Sequence, residues 1–139
     1  MKDAFCTAIG VLGGWLAQFF GGFDAGFITL GIVMAIDYLT GMIVAAIFKN
    51  SPNTETGGLE SWVGFKGLVK KFVMLLIVAV AYRIDIVAGS DFVRDALIIA
   101  FIANEGISVI ENAGLMGIEV PILKDAIEML RKKNETKDK

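Results

Sequence analysis

Asn104, Glu105, Ser108, Glu111 and Asn112 are the residues of this sequence best equipped for chemistry, and they sit inside an apolar run. At about 100° per residue they fall within roughly 120° of helical arc, with Ile, Ala, Val and Phe on the opposite faces. Such a stripe can hydrogen-bond a neighbouring helix, ligate a cation or border a path of water. Asp37 stands midway along an earlier apolar run, with Thr40 and Gly41 one turn away on the same face. A carboxylate at the centre of a spanning helix costs about 2.5–3.5 kcal/mol on an insertion scale. If Asp37, Glu105 and Glu111 all faced lipid, the cost would be on the order of 8–10 kcal/mol, comparable to the stability of a whole domain. They must face protein or water. For Asp37, a hydrogen bond to a neighbouring helix and a place on a water path both stay open. For the stripe, a shallower arrangement puts Glu111 and Asn112 at the membrane interface and leaves Asn104 and Glu105 deep.

The composition removes most catalytic chemistry. Histidine is absent, and with it the commonest general base and the usual metal-ligand clusters. The single cysteine, Cys6, lies in an apolar run, so neither a disulfide framework nor a cysteine-rich metal site can form within one chain. No nucleophile, base and orienting group are spaced to cooperate. We expect no enzyme activity, no cofactor and no metal. A formal net charge of −2 offers no field for nucleic acid.

The elements that position these residues are apolar helices. Hydrophobic residues make up 55% of the 139, against about 45–50% for an ordinary soluble domain, and they are clustered in long runs. A bilayer core needs roughly 20 helical residues. Runs at 4–23, 25–48, 72–88 and 96–118 meet or approach that length, which predicts an all-α transmembrane domain over residues 1–118. The third run is the weakest, with Lys71 before it and Arg83 and Asp85 late within it. The first run is longer than a signal-peptide core and no small-residue cleavage site follows, so it is expected to be retained. Asn50-Ser51-Pro52-Asn53 and Gly57-Gly58 mark the loop before the third run. From Pro121 a tail begins in which Leu123, Ala126, Ile127 and Leu130 recur at helical spacing among charges, predicting an amphipathic helix within a basic tail over residues 119–139.

Basic residues set the expected orientation. Lys49, Lys66, Lys70 and Lys71 lie between the second and third runs and further Lys and Arg fill the tail, whereas the turns after the first and third runs have none. By the positive-inside rule both basic segments are cytoplasmic, which predicts four crossings with both termini inside. On the first run, Gly10, Gly14, Ala17 and Gly21 fall on one face and allow close helix packing, to which Gly41 adds a second small position. Glycine is also simply frequent in membrane helices. A four-helix monomer has little interior for so many polar groups, so a homo-oligomer within the lipid bilayer is expected.

Three segments resemble a known family. Asp37-Tyr38-Leu39-Thr40-Gly41 is similar to the D-x-x-T-G segment of the phage-lysis and toxin-secretion holin family. Gly64-Phe65-Lys66-Gly67-Leu68-Val69-Lys70-Lys71 resembles its G-x-K-G-hydrophobic-K-K stretch. Asn104-Glu105, Ser108 and Glu111-Asn112 resemble its N-E-x-x-S-x-x-E-N signature, and Gly114, Gly117, Pro121 and the basic tail follow its layout. The resemblance runs from Asp37 onward. It implies a small protein of the bacterial cytoplasmic membrane that associates into large lesions through which a peptidoglycan hydrolase, or in some relatives a large toxin, leaves the cell. It also implies that Asp37, Thr40, Asn104, Glu105, Ser108, Glu111 and Asn112 serve assembly or line the lumen. A small ion channel or transporter subunit, and a membrane antagonist or scaffold, remain alternative readings.

Overall fold

The computed structural model describes residues 1–137, and these are helical with short connections. Asp138 and Lys139, the end of the expected basic tail, lie outside the described residues. Helix α1 (Lys2–Phe20) stops at Gly21, whose φ of 79° is left-handed, while the Gly22 N–H closes back on the Ala17 carbonyl at 2.6 Å. Gly21 thus ends the helix and does not extend the small face of Gly10 and Gly14. Helix α2 (Ala25–Ile43) is capped by Asp24, whose Oδ1 accepts from the Phe27 N–H at 2.9 Å. It continues as a π-helical turn, Val44–Phe48, to Lys49 at φ 49°.

Helix α3 (Ser61–Ala88) differs most from expectation. The sequence places a loop up to Lys71 and a short third run from Phe72; the helix instead begins at Ser61 and is the longest in the chain. Lys66, Lys70 and Lys71 are therefore helical. Gly64 and Gly67 do not break it because they let the Tyr38 ring approach: a Cβ on Gly64 would stand 3.4 Å from the Tyr38 hydroxyl, and one on Gly67 3.8 Å from the ring. Helix α4 (Val93–Leu115) is the hub, packed against α2, α3 and α5. Helix α5 (Pro121–Lys137) starts on a proline, which is at home in a first turn. It folds back antiparallel along α4, where the Asn134 amide donates to the Ala96 carbonyl at 3.0 Å.

Packing is inverted relative to a water-soluble protein. The apolar core is small: Leu30 and Met34 of α2, Val78 of α3 and Ile98 of α4, flanked by Phe27, Met74, Leu75 and Phe101. Meanwhile Ile32, Leu39, Phe65, Leu68, Phe72 and Val80 are exposed, and α1 has no buried residue at all. Asp85, Arg94 and Glu105 are the ones buried, at 4%, 5% and 5% exposure. Apolar outside with charge inside is the arrangement a lipid solvent demands, since lipid does not repel apolar surface and cannot solvate a charge. Helix α1 and the continuous segment Ala25–Phe48 are each long and apolar enough to cross a membrane.

Candidate functional site: a lysine between two carboxylates

Asp37 and Glu105 meet at one cation. At 1.5 Å rise per residue each lies about 18 Å from the first residue of its helix, so neighbouring α2 and α4 bring the two carboxylates to one level. The ammonium of Lys71, from α3, bonds Asp37 Oδ2 at 2.7 Å and contacts Glu105 Oε2 on its other side. All three side chains are largely enclosed, at 15%, 7% and 14% exposure for Asp37, Glu105 and Lys71. Asn112, two helical turns along α4, completes the cluster from its amide nitrogen. It donates to Asp37 Oδ1 at 3.2 Å and to the Thr40 hydroxyl at 3.0 Å. Thr40 in turn donates to the Asp37 carbonyl at 3.0 Å. Gly41 lies under this contact, where a Cβ would stand 3.7 Å from the Asn112 amide nitrogen. Among the described residues no buried side-chain nitrogen or oxygen lacks a partner.

The cluster forms the floor of a cavity of about 550 Å³ between α2, α3 and α4, closed on one side by the 51–60 loop. Asn104 and Ser108 reach this cavity, as do Lys66 and Lys70. Glu111 does not; it is exposed on the outer side of α4. Of the expected polar positions, then, Asp37, Thr40, Glu105 and Asn112 are brought into one bonded group. Asn104 and Ser108 border its cavity, and Glu111 stands apart. Nothing lies within 4 Å of a Cβ placed on Gly10 or Gly14, so that face is open within the chain, and Ala17 is half-buried beside the turn.

Lys71 is the member of this cluster that sequence reasoning missed, because it read as the last charge of a loop. The signal was electrostatic: two carboxylates in apolar runs need a cation, and Lys70-Lys71 is the basic pair nearest the third run. A second cluster was missed entirely. Arg94, at the start of α4, donates from Nε to the Phe20 carbonyl at 2.7 Å, from Nη2 to the Gly22 carbonyl at 2.9 Å, and from Nη1 to Asp24 at 2.6 Å and Asp95 at 3.1 Å. Asp85 of α3 accepts the Val93 and Arg94 backbone N–H groups at 3.1 and 2.8 Å and the Ser90 hydroxyl at 2.6 Å, capping α4 from another helix. This cluster fastens the α1–α2 turn to the α3–α4 turn. The Arg94 guanidinium, hydrogen-bonded to Asp24, holds that carboxyl below its ordinary value against the opposing effect of burial. No local pattern announces these partners, which lie about 70 residues apart in sequence.

Chemically, the Asp37–Lys71–Glu105 group is saturated. Its ammonium stands where a bound cation would sit, and it presents no nucleophile beside a base. What it can do is hold three helices in one register, and release them if the group is broken.

Comparison with known proteins gives the family. The family model described as the bacteriophage holin family matches residues 14–132. The chain belongs to the bacteriophage holin family. A probable holin of Bacillus phage phi105 is 32% identical over 108 residues, covering 76% of this chain and 74% of that protein. An uncharacterized protein of Listeria innocua is 37% identical over 86% of this chain and 82% of its own length. One of Clostridium perfringens is 33% identical over 95% and 96%. No solved structure matches. Holin membership, with apolar helices facing outward, makes this a membrane protein of a non-enzymatic family. The match includes all the polar cluster residues, since Asp37, Lys71, Glu105 and Asn112 fall within it.

Proposed function

We propose that this holin-family chain inserts into the bacterial cytoplasmic membrane, associates with copies of itself and opens lesions wide enough for a folded peptidoglycan hydrolase or a large toxin. The observation that carries the reading is the inversion of the fold: exposed Ile, Leu, Phe and Val around a buried Asp37–Lys71–Glu105 group. In this reading α3 and α4 cross the bilayer together with α1 and α2, giving four crossings with both termini cytoplasmic. Lys49, Lys66 and Lys70 on one side, and turns at 21–24 and 89–92 without Lys or Arg on the other, support that orientation. The stacked Trp62–Phe65 pair, with Lys66 over the Trp62 ring at 5.4 Å, suits an interfacial anchor at the cytoplasmic end of α3.

Asp37, Thr40, Glu105 and Asn112 serve as internal ties between helices. Asn104, Ser108 and Glu111, with the open Gly10 and Gly14 face, are positions for contacts between copies or with water. A narrow cation channel is the competing reading. It is disfavoured because Lys71 already occupies the space between the two carboxylates. Induced expression in a bacterium, with a co-expressed cytoplasmic endolysin and a potential-sensitive dye, tests the proposal. Sudden depolarisation and endolysin release are expected. Cells that keep their membrane potential at high expression refute it, and depolarisation without endolysin release favours the channel. The identity of the cargo is a property of the neighbouring genes, where a peptidoglycan hydrolase means lysis and a large toxin means export.

A further inference from the structure

Helix α5 occupies a place it cannot keep in a bilayer. Its Ile127 packs on Gly106 of α4, where a Cβ would stand 2.8 Å from Ile127 Cδ1, and Asn134 bonds the Ala96 carbonyl at 3.0 Å. Leu130 is half-buried between these two contacts. Around the rest of its surface α5 exposes Lys124, Asp125, Glu128, Arg131, Lys132 and Lys133. If α4 crosses the membrane, α5 lies beside it from mid-span almost to the first turn, and those charges meet hydrocarbon, which cannot solvate them. The docked arrangement therefore belongs to a state in which this side of α4 looks onto water. Helix α5 is also attached in a way that lets it leave. It joins α4 through Met116–Val120, where Gly117 has φ 82° and nothing lies within 4 Å of a Cβ placed on it.

Departure of α5 frees the Ala96–Gly106 side of α4, which adjoins an apolar groove that is open already. The groove, of about 430 Å³ and lined by Ile77, Val80, Ile84, Leu97 and Ala100, runs between α3 and α4, with Asn134 at its edge. The chain has an apolar helix long enough to span that meets the rest of the bundle chiefly at its C-terminal end, through α3 and the 21–24 turn. Helix α1 has no buried residue and exposes Phe5, Ile9, Leu12 and Trp15. We propose that α5 is a removable cover on α4, and that in the membrane α1 of a second copy takes the face α5 leaves. The inference rests on the membrane reading of α3 and α4 above. It deepens that reading by supplying an interface that propagates. When α1 of one copy sits on α4 of the next, the growing assembly keeps one free face of each kind at its ends, so it extends, whereas α4 on α4 would close at a dimer.

The test uses the full chain in a Cys6→Ser background. Gly106→Cys with Ile127→Cys removes the side chain that a Cβ at 106 would strike and places two thiols across the contact. Reduced, this variant should give a ladder of copies joined by an amine-reactive cross-linker in membranes. Oxidised, it should lose the ladder and regain it on addition of dithiothreitol. An oxidised chain that ladders as fully as the reduced one overturns the cover, and places α5 in the wall of a water-filled lumen. As a second variant, Ile127→Asp loosens α5 without touching the transmembrane core, and should move the onset of association earlier; an unchanged or later onset counts against the proposal. For the occupant, copies carrying Gly10→Cys mixed with copies carrying Gly106→Cys should form mixed disulfides. Disulfides between Gly106→Cys copies alone overturn the assignment to α1. Depolarisation is recorded separately, so ladders that respond to the lock without leakage uphold the cover and count against the pore.

Discussion

The central residue is Lys71, because one ammonium serves two buried carboxylates. Removing either carboxylate leaves a neutral pair, Lys71 with the survivor. Removing Lys71 leaves two like charges facing each other in a low-dielectric site. The loss of one partner from a buried ion pair costs about 3–5 kcal/mol. Lys71→Met should therefore lower stability in detergent by about that amount, and Glu105→Gln by clearly less. Thermal unfolding of both variants checks this, and a larger loss for Glu105→Gln would show that Lys71 is not the shared partner. The carboxylates and Asn112 were legible in the sequence because a polar residue in an apolar run is conspicuous. Lys71 was not, since at a run's edge a lysine in a loop and a lysine reaching into a bundle look alike.

At the scale of elements, the helices are held at one end by Arg94 and in the middle by Lys71. Asp24 links the first of these devices to a helix cap, since it accepts from both Arg94 and the Phe27 N–H. Its folded-state pKa is lowered, chiefly by the Arg94 hydrogen bond. A depressed carboxylate stabilises the fold above its ordinary value of 3.8, and that contribution is lost as pH falls through the lower folded value. Protection of the Phe27 amide against hydrogen exchange, corrected for intrinsic rate, should stay level above about pH 4 and fall below it. Asp24→Asn should abolish this pH dependence. The glycines divide in the same way. Gly21→Ala forces a Cβ at φ 79° to within 2.6 Å of the Tyr82 ring and 2.9 Å of Arg94 Nε, so it should destabilise the turn. Gly10→Ala meets nothing within 4 Å and should raise helix stability by about 0.5–1 kcal/mol. Any delay it causes in lysis then reports on contacts between copies. Thermal melts and lysis onset measured together separate the two.

For the whole molecule, the family match and the inverted packing agree on a membrane protein, and the crossing count is open to direct measurement. In a Cys6→Ser chain, Phe23→Cys and Ser90→Cys should react with a membrane-impermeant thiol reagent added outside intact cells, and Glu55→Cys only after the membrane is opened. Labelling of Glu55→Cys in intact, energised cells would remove the four-crossing arrangement. The long 4–23 and 25–48 runs were readable because hydropathy is a local sum, and helices α1 and α2 with its π turn follow them closely. The third run was read short because Lys66, Lys70 and Lys71 lower the local average, whereas in the fold Tyr38 of α2 packs beside those turns at Gly64 and Gly67.

By itself the sequence determined the solvent, the helical class and the need of Asp37 and Glu105 for polar neighbours. Each of these follows from composition summed over a few turns. It did not determine that Lys71 joins Asp37 to Glu105, that Arg94 fastens the α1–α2 turn, or that α5 lies along α4. Those depend on which helix faces meet and at what level, and such pairings are long-range contacts that no local period encodes. The carboxylates announced a need for a cation, and only the packing of α3 against the α2–α4 pair decided which one.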